Sequence, residues 1–461
     1  MNDYTFQDLL AVGEDEEKRT EFCMNAIFAH QNSDKYKEAE IAREYFKKRN
    51  VTINQYRKLL YTITGEAVPD NFSANHKCAS GFFRRFVVQQ AQYLLGNGVI
   101  FTDDEIKKKI GGDKFDLVIK KAGKEALISG AAYGFFNLDN VKIFKLREFV
   151  PLEDEEDGAL KAGIRFWQIT ANKPLRFTLY ELDGYTEYIR RGNGKPEVMR
   201  PKRPYIVNVR IEGNSAEGEI VDGRNYPGFP IVPFYADDDR ESLLVGMREN
   251  IDCYDLIKSG FANDLDDASL IFWTLQNASG MDDMDLVKFV ERMKTVKAAV
   301  VDDGAKAEAH TMDVPYQSRE TYLTRLEADL YRDAMALNVN QISGGNITAT
   351  AIMAAYDPMD GNENEFEDCA VEFVDGILAL AGYDENVDYS FKRSRIANQT
   401  EETNMVLAAA QYLDHETILR HLPFLAADEI DGVLDRTTKE EAERYKDITN
   451  ESEETDDEQN T

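Results

Sequence analysis

Between residues 243 and 265, apolar side chains return at helical intervals. Leu243, Met247, Ile251, Tyr254, Ile257, Phe261 and Leu265 stand at steps of four, four, three, three, four and four. The stripe predicts one amphipathic helix of roughly 25–30 residues, about 40 Å long at the α-helical rise. Its other faces carry Asp252, Asp255, Asp264, Asp266 and Asp267. A second stripe, Leu323, Leu326, Leu330, Ala334 and Leu337, predicts a returning helix over 317–337. Between the two, LIFWTL reads as a strand, MDLVKFVERMKTV as a short helix and KAAVVDDGAKAEAHTMDV as a hairpin turning at Asp303-Gly304. Antiparallel packing of the long helices would put this insert at one tip and NQISGGNITATAI, Asn340 to Ile352, at the other end.

The flanking segments follow the same logic. Residues 1–60 read as helical. FFRRFVVQQAQYLL has Phe83, Phe86, Val87, Gln90 and Leu94 at helical spacing and stops at Gly96-Asn97-Gly98. KFDLVIKKAGKEALISG predicts another helix, passing into short β runs, YGFFNL and VKIFKL. GIRFWQI, RFTLYEL, TEYIRR, YIVNVRI and EGEIVDG, separated by turn residues, predict a β-meander over 163–235. YPGFPIVPFYADDD carries three prolines and reads as a boundary, with Asp237, Asp238 and Asp239 placed to start the long helix. A third helix is expected from Thr348 to Leu380, kinked or interrupted at Pro358. VDYSFKRSR reads as a strand, residues 396–447 as small helices, and ESEETDDEQNT as a disordered acidic tail.

Length and charge then narrow the function. At 461 residues the chain exceeds the usual size of one core, so two or more folding units are expected. It holds 54 basic and 85 acidic side chains, a net charge of −31. Such a surface repels phosphate backbones and argues against tight nucleic-acid binding, while suiting a wall past which DNA slides. No run of eighteen apolar residues predicts a membrane span, and MNDYTFQDLL lacks the pattern of a signal peptide. Cys23, Cys78, Cys253 and Cys369 are too scattered for a CxxC motif and read as free thiols.

Candidate chemistry is sparse. NQISGGNITATAI has two glycines but lacks the GxxxxGK[ST] pattern and its lysine, so it is no phosphate loop. Asp384, Asn386 and Asp388 begin like an EF-hand, yet Tyr389 and Arg395 replace its glycine and glutamate. The five histidines show no ligand spacing, and no nucleophile motif is present. No catalytic residue, metal or cofactor is expected. Two basic clusters remain: Arg190, Arg191, Lys195, Arg200, Lys202 and Arg203 around a hairpin tip, and Lys288, Arg292 and Lys294 on the helix of the insert. Both default to solvated faces, with docking to an acidic protein as the functional reading.

From about Asn71 to Tyr445 the order of segments resembles the portal proteins of tailed double-stranded DNA phages, of the long-tailed type. FFRRFVVQQAQYLLGNGVIF, AGIRFW, YPGFPIVPFYADDD, RENIDCYDLIKSGFANDLDDAS, GGNITATAIMAAYDPM and HETILRHLPFL with DEIDGVLDRTTKEEAERY are similar to that family's segments in collinear order. The resemblance implies an α+β fold: a mixed α/β wing, two long antiparallel stem helices, a small α/β clip insert and a helical crown. The segments would be wing 1–237, stem 238–268, clip 269–315, stem 316–338, tunnel loop 339–350, wing helix and strand 351–395, crown 396–447 and tail 448–461. It also implies a ring, usually of twelve copies, at one capsid vertex of a virion made in the bacterial cytoplasm. DNA passes through that ring without sequence specificity. Expected partners are the terminase large subunit, head-completion or adaptor proteins, and the major capsid and scaffolding proteins.

In that reading Asn340, Gln341, Ile342, Ser343, Gly344, Gly345 and Asn346 form the tunnel loop. Asp252, Asp255, Asp264, Asp266 and Asp267 contribute to the channel lining, and Lys288, Arg292 and Lys294 face terminase. Two other readings compete: a virion connector without DNA passage, and a carboxylate–metal hydrolase built on the aspartates.

Overall fold

The computed structural model describes residues 3–61, 65–70, 73–210, 219–268, 272–276, 284, 287–289, 291, 306–310, 316–339, 349–383, 387–395, 399–422, 425, 430 and 432–439. The fold is mixed α+β and divides into two compact units. One holds residues 1–337 with 358–394, the other 338–357 with 395–461. No described helix is long and apolar enough to cross a membrane.

The first unit begins with four helices, α1 (Phe6–Val12), α2 (Glu16–Asn32), α3 (Asp34–Phe46) and α4 (Val51–Gln55). Thr5, Asp15, Ser33 and Asn50 cap them through side-chain oxygens, as short polar residues do where the first N–H groups lack partners. After the hairpin β1 (Leu59–Tyr61) and β2 (Ala67–Pro69) come α5 (Phe82–Leu95), β3 (Val99–Phe101), α6 (Asp104–Lys109) and α7 (Asp113–Ser129). All five residues of the predicted α5 stripe are buried.

Two sheets follow. Strands β4 (Ala131–Asn137) and β5 (Asn140–Lys145) join β13 (Ile231–Tyr235) in the order β13-β4-β5. The antiparallel meander is β6 (Phe149–Glu153), β7 (Leu160–Trp167), β8 (Leu175–Glu181), β9 (Gly184–Arg190) and β10 (Glu197–Arg203), followed by the separate hairpin β11 (Ile206–Arg210) and β12 (Glu219–Arg224). One face of α2, with Phe22, Cys23, Ala26 and Ile27, packs on the meander through Val150, Ile164, Phe177 and Tyr188.

The largest core joins α5 and α7 to the long helix α10 (Ala349–Leu380), labelled after α8 (Arg248–Ala268) and α9 (Tyr316–Asp333). Phe234 of β13 stacks its ring 5.5 Å from Phe366 and 5.1 Å from Phe373 of α10. Gly123 of α7 makes this approach possible: a Cβ there would lie 2.5 Å from Leu95 and 2.9 Å from Phe366. A buried ion pair, Arg43 with Glu125, ties α3 to α7. Strand β16 (Tyr389–Phe391) pairs with β3, and β14 (Phe272–Gln276) with β15 (Lys306–His310). In the second unit, α11 (Gln399–Ala409) and α12 (His415–His421) are short helices, as expected for this stretch.

Four expectations need correction. The meander expected over 163–235 runs instead from β6 to β10, while β11 and β12 form their own hairpin and β13 joins β4 in another sheet. The helix expected from 238 starts at Arg248. Arg240 at φ 58° and Gly246 at φ 79° are left-handed, so residues 238–247 form turns instead. Pro233 lies within β13, opposite Tyr133; this is the sheet edge, where a missing N–H costs no ladder bond. Pro358 does not interrupt α10, which is helical throughout, although the boundary between the two units falls there. Proline removes one helical bond, and the turns beyond it are held by buried Phe366, Ala370, Phe373 and Ile377.

One polar side chain in this core stands out. Glu363 on α10 is 0% exposed, and among the described residues neither carboxylate oxygen has a hydrogen-bond partner. Arg393 lies close by but is engaged by Glu367 at 2.6 Å, Asn364 at 2.6 Å and Asp360 at 3.1 Å. Burial pushes the Glu363 carboxyl up to about 9, opposed by Arg393 and reinforced by Glu367 and Asp360. It is therefore neutral at pH 7, while the unfolded carboxyl titrates at 4.5. Across the interval between these values the folded chain holds a proton that the unfolded chain has lost, so stability falls as pH rises toward 9. Glu363→Gln should flatten that fall. Thermal melts should show the variant gaining on the parent chain at about pH 8.5 relative to about pH 5. An equal difference at both would mean that Glu363 is ionised in the fold.

Candidate functional site

The two long helices run antiparallel, as expected. Asn250 of α8 bonds Asp333 of α9 at 3.0 Å, and Asp264 pairs with Arg319. These tie points lie fourteen residues apart on each helix, about 21 Å of matched length. Met247 just before α8, Ile251 of α8, and Leu326 and Leu330 of α9 are buried.

Beyond Ile251 the buried row of α8 continues at steps of four, but its chemistry changes to Asp255, Ser259 and Asn263, all buried. Each accepts a backbone N–H from a segment running the opposite way. Ser80 donates to Asp255 at 2.8 Å, Cys78 to Ser259 at 2.9 Å and His76 to Asn263 at 2.6 Å. Four helical residues rise about 6 Å and two extended residues about 6.6 Å, so the two repeats stay in step over three contacts. The Asn50 side chain donates to the second Asp255 oxygen at 2.8 Å. Burial raises the Asp255 carboxyl above its ordinary range, while the bonds from Asn50 and Ser80 pull the other way. One turn earlier, Asp252 accepts from Thr52 at 2.7 Å and from the Tyr45 hydroxyl.

This geometry removes one residue from the expected channel lining. Asp255 is 1% exposed and cannot face a channel. Asp252 is bound to α4 and the end of α3, and Asp264 is paired across the helix pair. Asp266 is exposed, with His76 Nε2 3.4 Å away. Asp267 lies on α8, its side chain outside the described residues. The expected tunnel loop, Asn340 to Asn346, also lies outside them, as do Arg292 and Lys294. Lys288 is exposed on a helical stretch.

Sequence reasoning missed Asn263 and Asn50, and it placed Ser259 in the stem segment without foreseeing this bond. The available signal was the step-of-four row from Met247, which continues past Ile251 with side chains able to accept hydrogen bonds. Among the described residues, no group of three His, Cys, Asp or Glu is placed to hold a metal ion.

The chain belongs to a phage portal family: the model described as "Phage portal protein, SPP1 Gp6-like" matches residues 25–455. It is 22% identical over 387 residues to the portal protein of Clostridium phage phiCD119, covering 77% of this chain and 82% of that one. It is 23% identical over 333 residues to the portal protein of Bacillus phage SPP1, covering 68% and 64% of the two chains. Among solved structures it is similar to a chain in the "Neck of empty GTA particle computed with C6 symmetry", with a TM-score of 0.42 and 12% identity, covering 76% of this chain and 91% of that chain. It is also similar to one in the "Virion of native gene transfer agent (GTA) particle", with a TM-score of 0.41 and 11% identity, covering 77% and 89%.

The polar row separates structural from surface aspartates. Asp255→Ala leaves the Ser80 N–H and the Asn50 amide without their acceptor, so it should cost about 2–4 kcal/mol. Asp266→Ala, at an exposed position, should stay within about 0.5 kcal/mol of the parent chain. Urea denaturation of both variants checks the contrast. Equal midpoints would show that the row does not hold segment 76–80 in place.

Proposed function

We propose that copies of this chain close into a ring at one capsid vertex, with an axial channel that double-stranded DNA traverses during packaging and ejection. The observation that carries this reading is the family match over residues 25–455. In support, the chain supplies a helix pair tied at both ends and a net charge of −31. A negative wall holds a polyanion off its surface, lowering friction where fixed cations would grip phosphates. α8 and α9 are assigned to the stem, β14 and β15 with the residues between them to the clip, and residues 340–346 to the tunnel loop. Residues 396–447 are assigned to the crown, and Asp266 and Asp267 remain as candidates for the channel wall. The protein breaks no bonds in this reading. Its site is the virion, after synthesis in the host cytoplasm, and its neighbours are the major capsid and scaffolding proteins.

Negative-stain microscopy and native mass spectrometry of the purified chain test the reading. Rings with a central hole, in a single closed number near twelve, are the expected result. Discs with no axial hole would favour a connector without DNA passage, and a strictly monomeric chain under every assembly condition would refute the ring. The clip assignment has its own test. Reversing Lys288, Arg292 and Lys294 to glutamate should weaken binding of the terminase large subunit by about tenfold or more, because like charge is set against the acidic partner surface this reading requires. Unchanged affinity in a binding titration would remove these residues from the contact, leaving terminase and adaptor docking to other parts of the clip.

A further inference from the structure

Helix α2 carries two different features at its two ends. Beside its first turns stands the tip of the β9–β10 hairpin, residues 191–196, which shares a second cavity with Glu16, Glu17 and Met24 and touches the helix through the Lys195–Glu17 pair. Beside its last turn opens a cleft of about 990 Å³, reached from Phe28, His30 and Asn32 and bounded by β4, β6 and the turn after β13. Glu17, which pairs with Lys195 of the tip, and His30 of the cleft stand thirteen residues apart on the helix, about 20 Å.

The cleft is built for a cation. Its rim carries Asp3, Asp34, Asp238 and Asp239, set against Lys35. Glu153 and Arg240, also at the wall, are bonded to each other at 2.7 Å. Its floor holds two buried groups with capacity to accept. His30 must donate from Nε2 to the Leu146 carbonyl, at 2.8 Å, which leaves Nδ1 as an acceptor; burial holds the ring below its usual pKa and therefore neutral. Tyr133 is 3% exposed, and its hydroxyl oxygen is a second group able to accept. Acceptors below and carboxylates above suit a guanidinium or ammonium group whose carbon stem lies on the apolar floor of Ala131 and Leu146.

The hairpin tip offers such groups. Arg191 and Lys195 flank Gly192, Asn193 and Gly194, and their only ion pairs among the described residues are solvent-exposed. Lys195 and Glu17 are 91% and 85% exposed, Arg191 and Glu197 66% and 68%. Exposed pairs of this kind contribute little and exchange readily for better-desolvated partners. A tip cannot reach the cleft at the far end of its own α2, but the tip of another copy can. Repeated head-to-tail contacts between two unlike patches close into a ring when the rotation between copies permits it.

From these features we infer that the Arg191–Lys195 hairpin tip of one copy inserts into the acidic cleft around His30, Tyr133, Asp238 and Asp239 of the next. The inference rests on the ring proposed above. Two chains test it, Arg191→Glu with Lys195→Glu, and Asp238→Lys with Asp239→Lys, each first shown by circular dichroism to melt like the parent chain. Native mass spectrometry should show each variant alone losing ring by about tenfold or more, since like charges then face each other at every interface. An equimolar mixture should recover rings in which the two variants alternate, because each reversed tip then meets a cleft of opposite charge. A chain carrying all four substitutions should also close. Rings from either variant alone at the parent level would overturn the contact, and so would failure of both the mixture and the fourfold chain. A parent chain that forms no ring would instead refute the ring itself.

Discussion

The helix pair depends on a match of two repeats. Every fourth residue of α8 from Asp255 meets every second residue of segment 76–80, and each meeting point is a hydrogen bond from a backbone N–H to a side chain. Without it, an irregular stretch of backbone would lie against a helix with its N–H groups orphaned, at the cost carried by any unmade buried bond. With it, the chain entering α5 is fixed to α8 just before Phe82. Next, α5 is fixed to the returning helix through Arg85 to the Tyr331 hydroxyl, and to the chain just beyond that helix through Gln89 to the Leu337 carbonyl at 3.0 Å. The pair is thereby joined to the main core by polar contacts at defined points, where an apolar seam alone would permit sliding along the axis. Ser259 shows how tightly the arrangement is set, because the hydroxyl that accepts from Cys78 donates to the Asp255 carbonyl at 2.6 Å.

The same row explains what could and could not be read from the sequence. Apolar periodicity located α5, α7, α9 and three of the five meander strands, β7, β8 and β9, because burial of one face is a local signal that survives without neighbours. It also found the Met247 and Ile251 side of α8. It then followed Tyr254, Ile257, Phe261 and Leu265, of which Leu265 is 53% exposed, and passed over Asp255, Ser259 and Asn263. A periodicity that counts only apolar residues assigns polar ones to solvent, and the partners that bury this row lie some 180 residues away. The start of α8 was misplaced for a related reason. Three aspartates make a good first turn, but Arg240 and Gly246 take left-handed backbone, which no composition rule foresees for an arginine. Pro233 and Pro358 were weighed as breakers, and tertiary position decided both cases.

The aspartates also refine the electrostatic argument. A net charge of −31 is a property of the whole surface, and it keeps its force as a long-range field. Individual carboxylates are a different matter. Asp264 is neutralised by Arg319, and Asp252 and Asp255 are turned toward Tyr45, Thr52, Asn50 and Ser80 within the fold. A repelling wall must therefore draw on residues whose charge is left facing solvent, and on α8 that places the weight toward its C-terminal end.

Ring closure imposes one more condition, since a small error in the angle between neighbours accumulates around the circle and leaves it open. Two patches on loops that drift relative to each other would not define that angle. Here both ends of the proposed contact are fixed to one scaffold. α2 lies on the meander through Phe22, Ala26 and Ile27, the hairpin tip extends that same meander, and the cleft wall is shared between the meander and the three-stranded sheet. Arg19 of α2 holds Glu181 of β8, and α3 is locked to α7 through the buried Arg43–Glu125 pair. A buried pair of this kind adds little net stability, but it penalises any arrangement that separates its partners. Tip and cleft are thereby held on one scaffold, so the proposed contact would set the angle between successive copies through the fold itself.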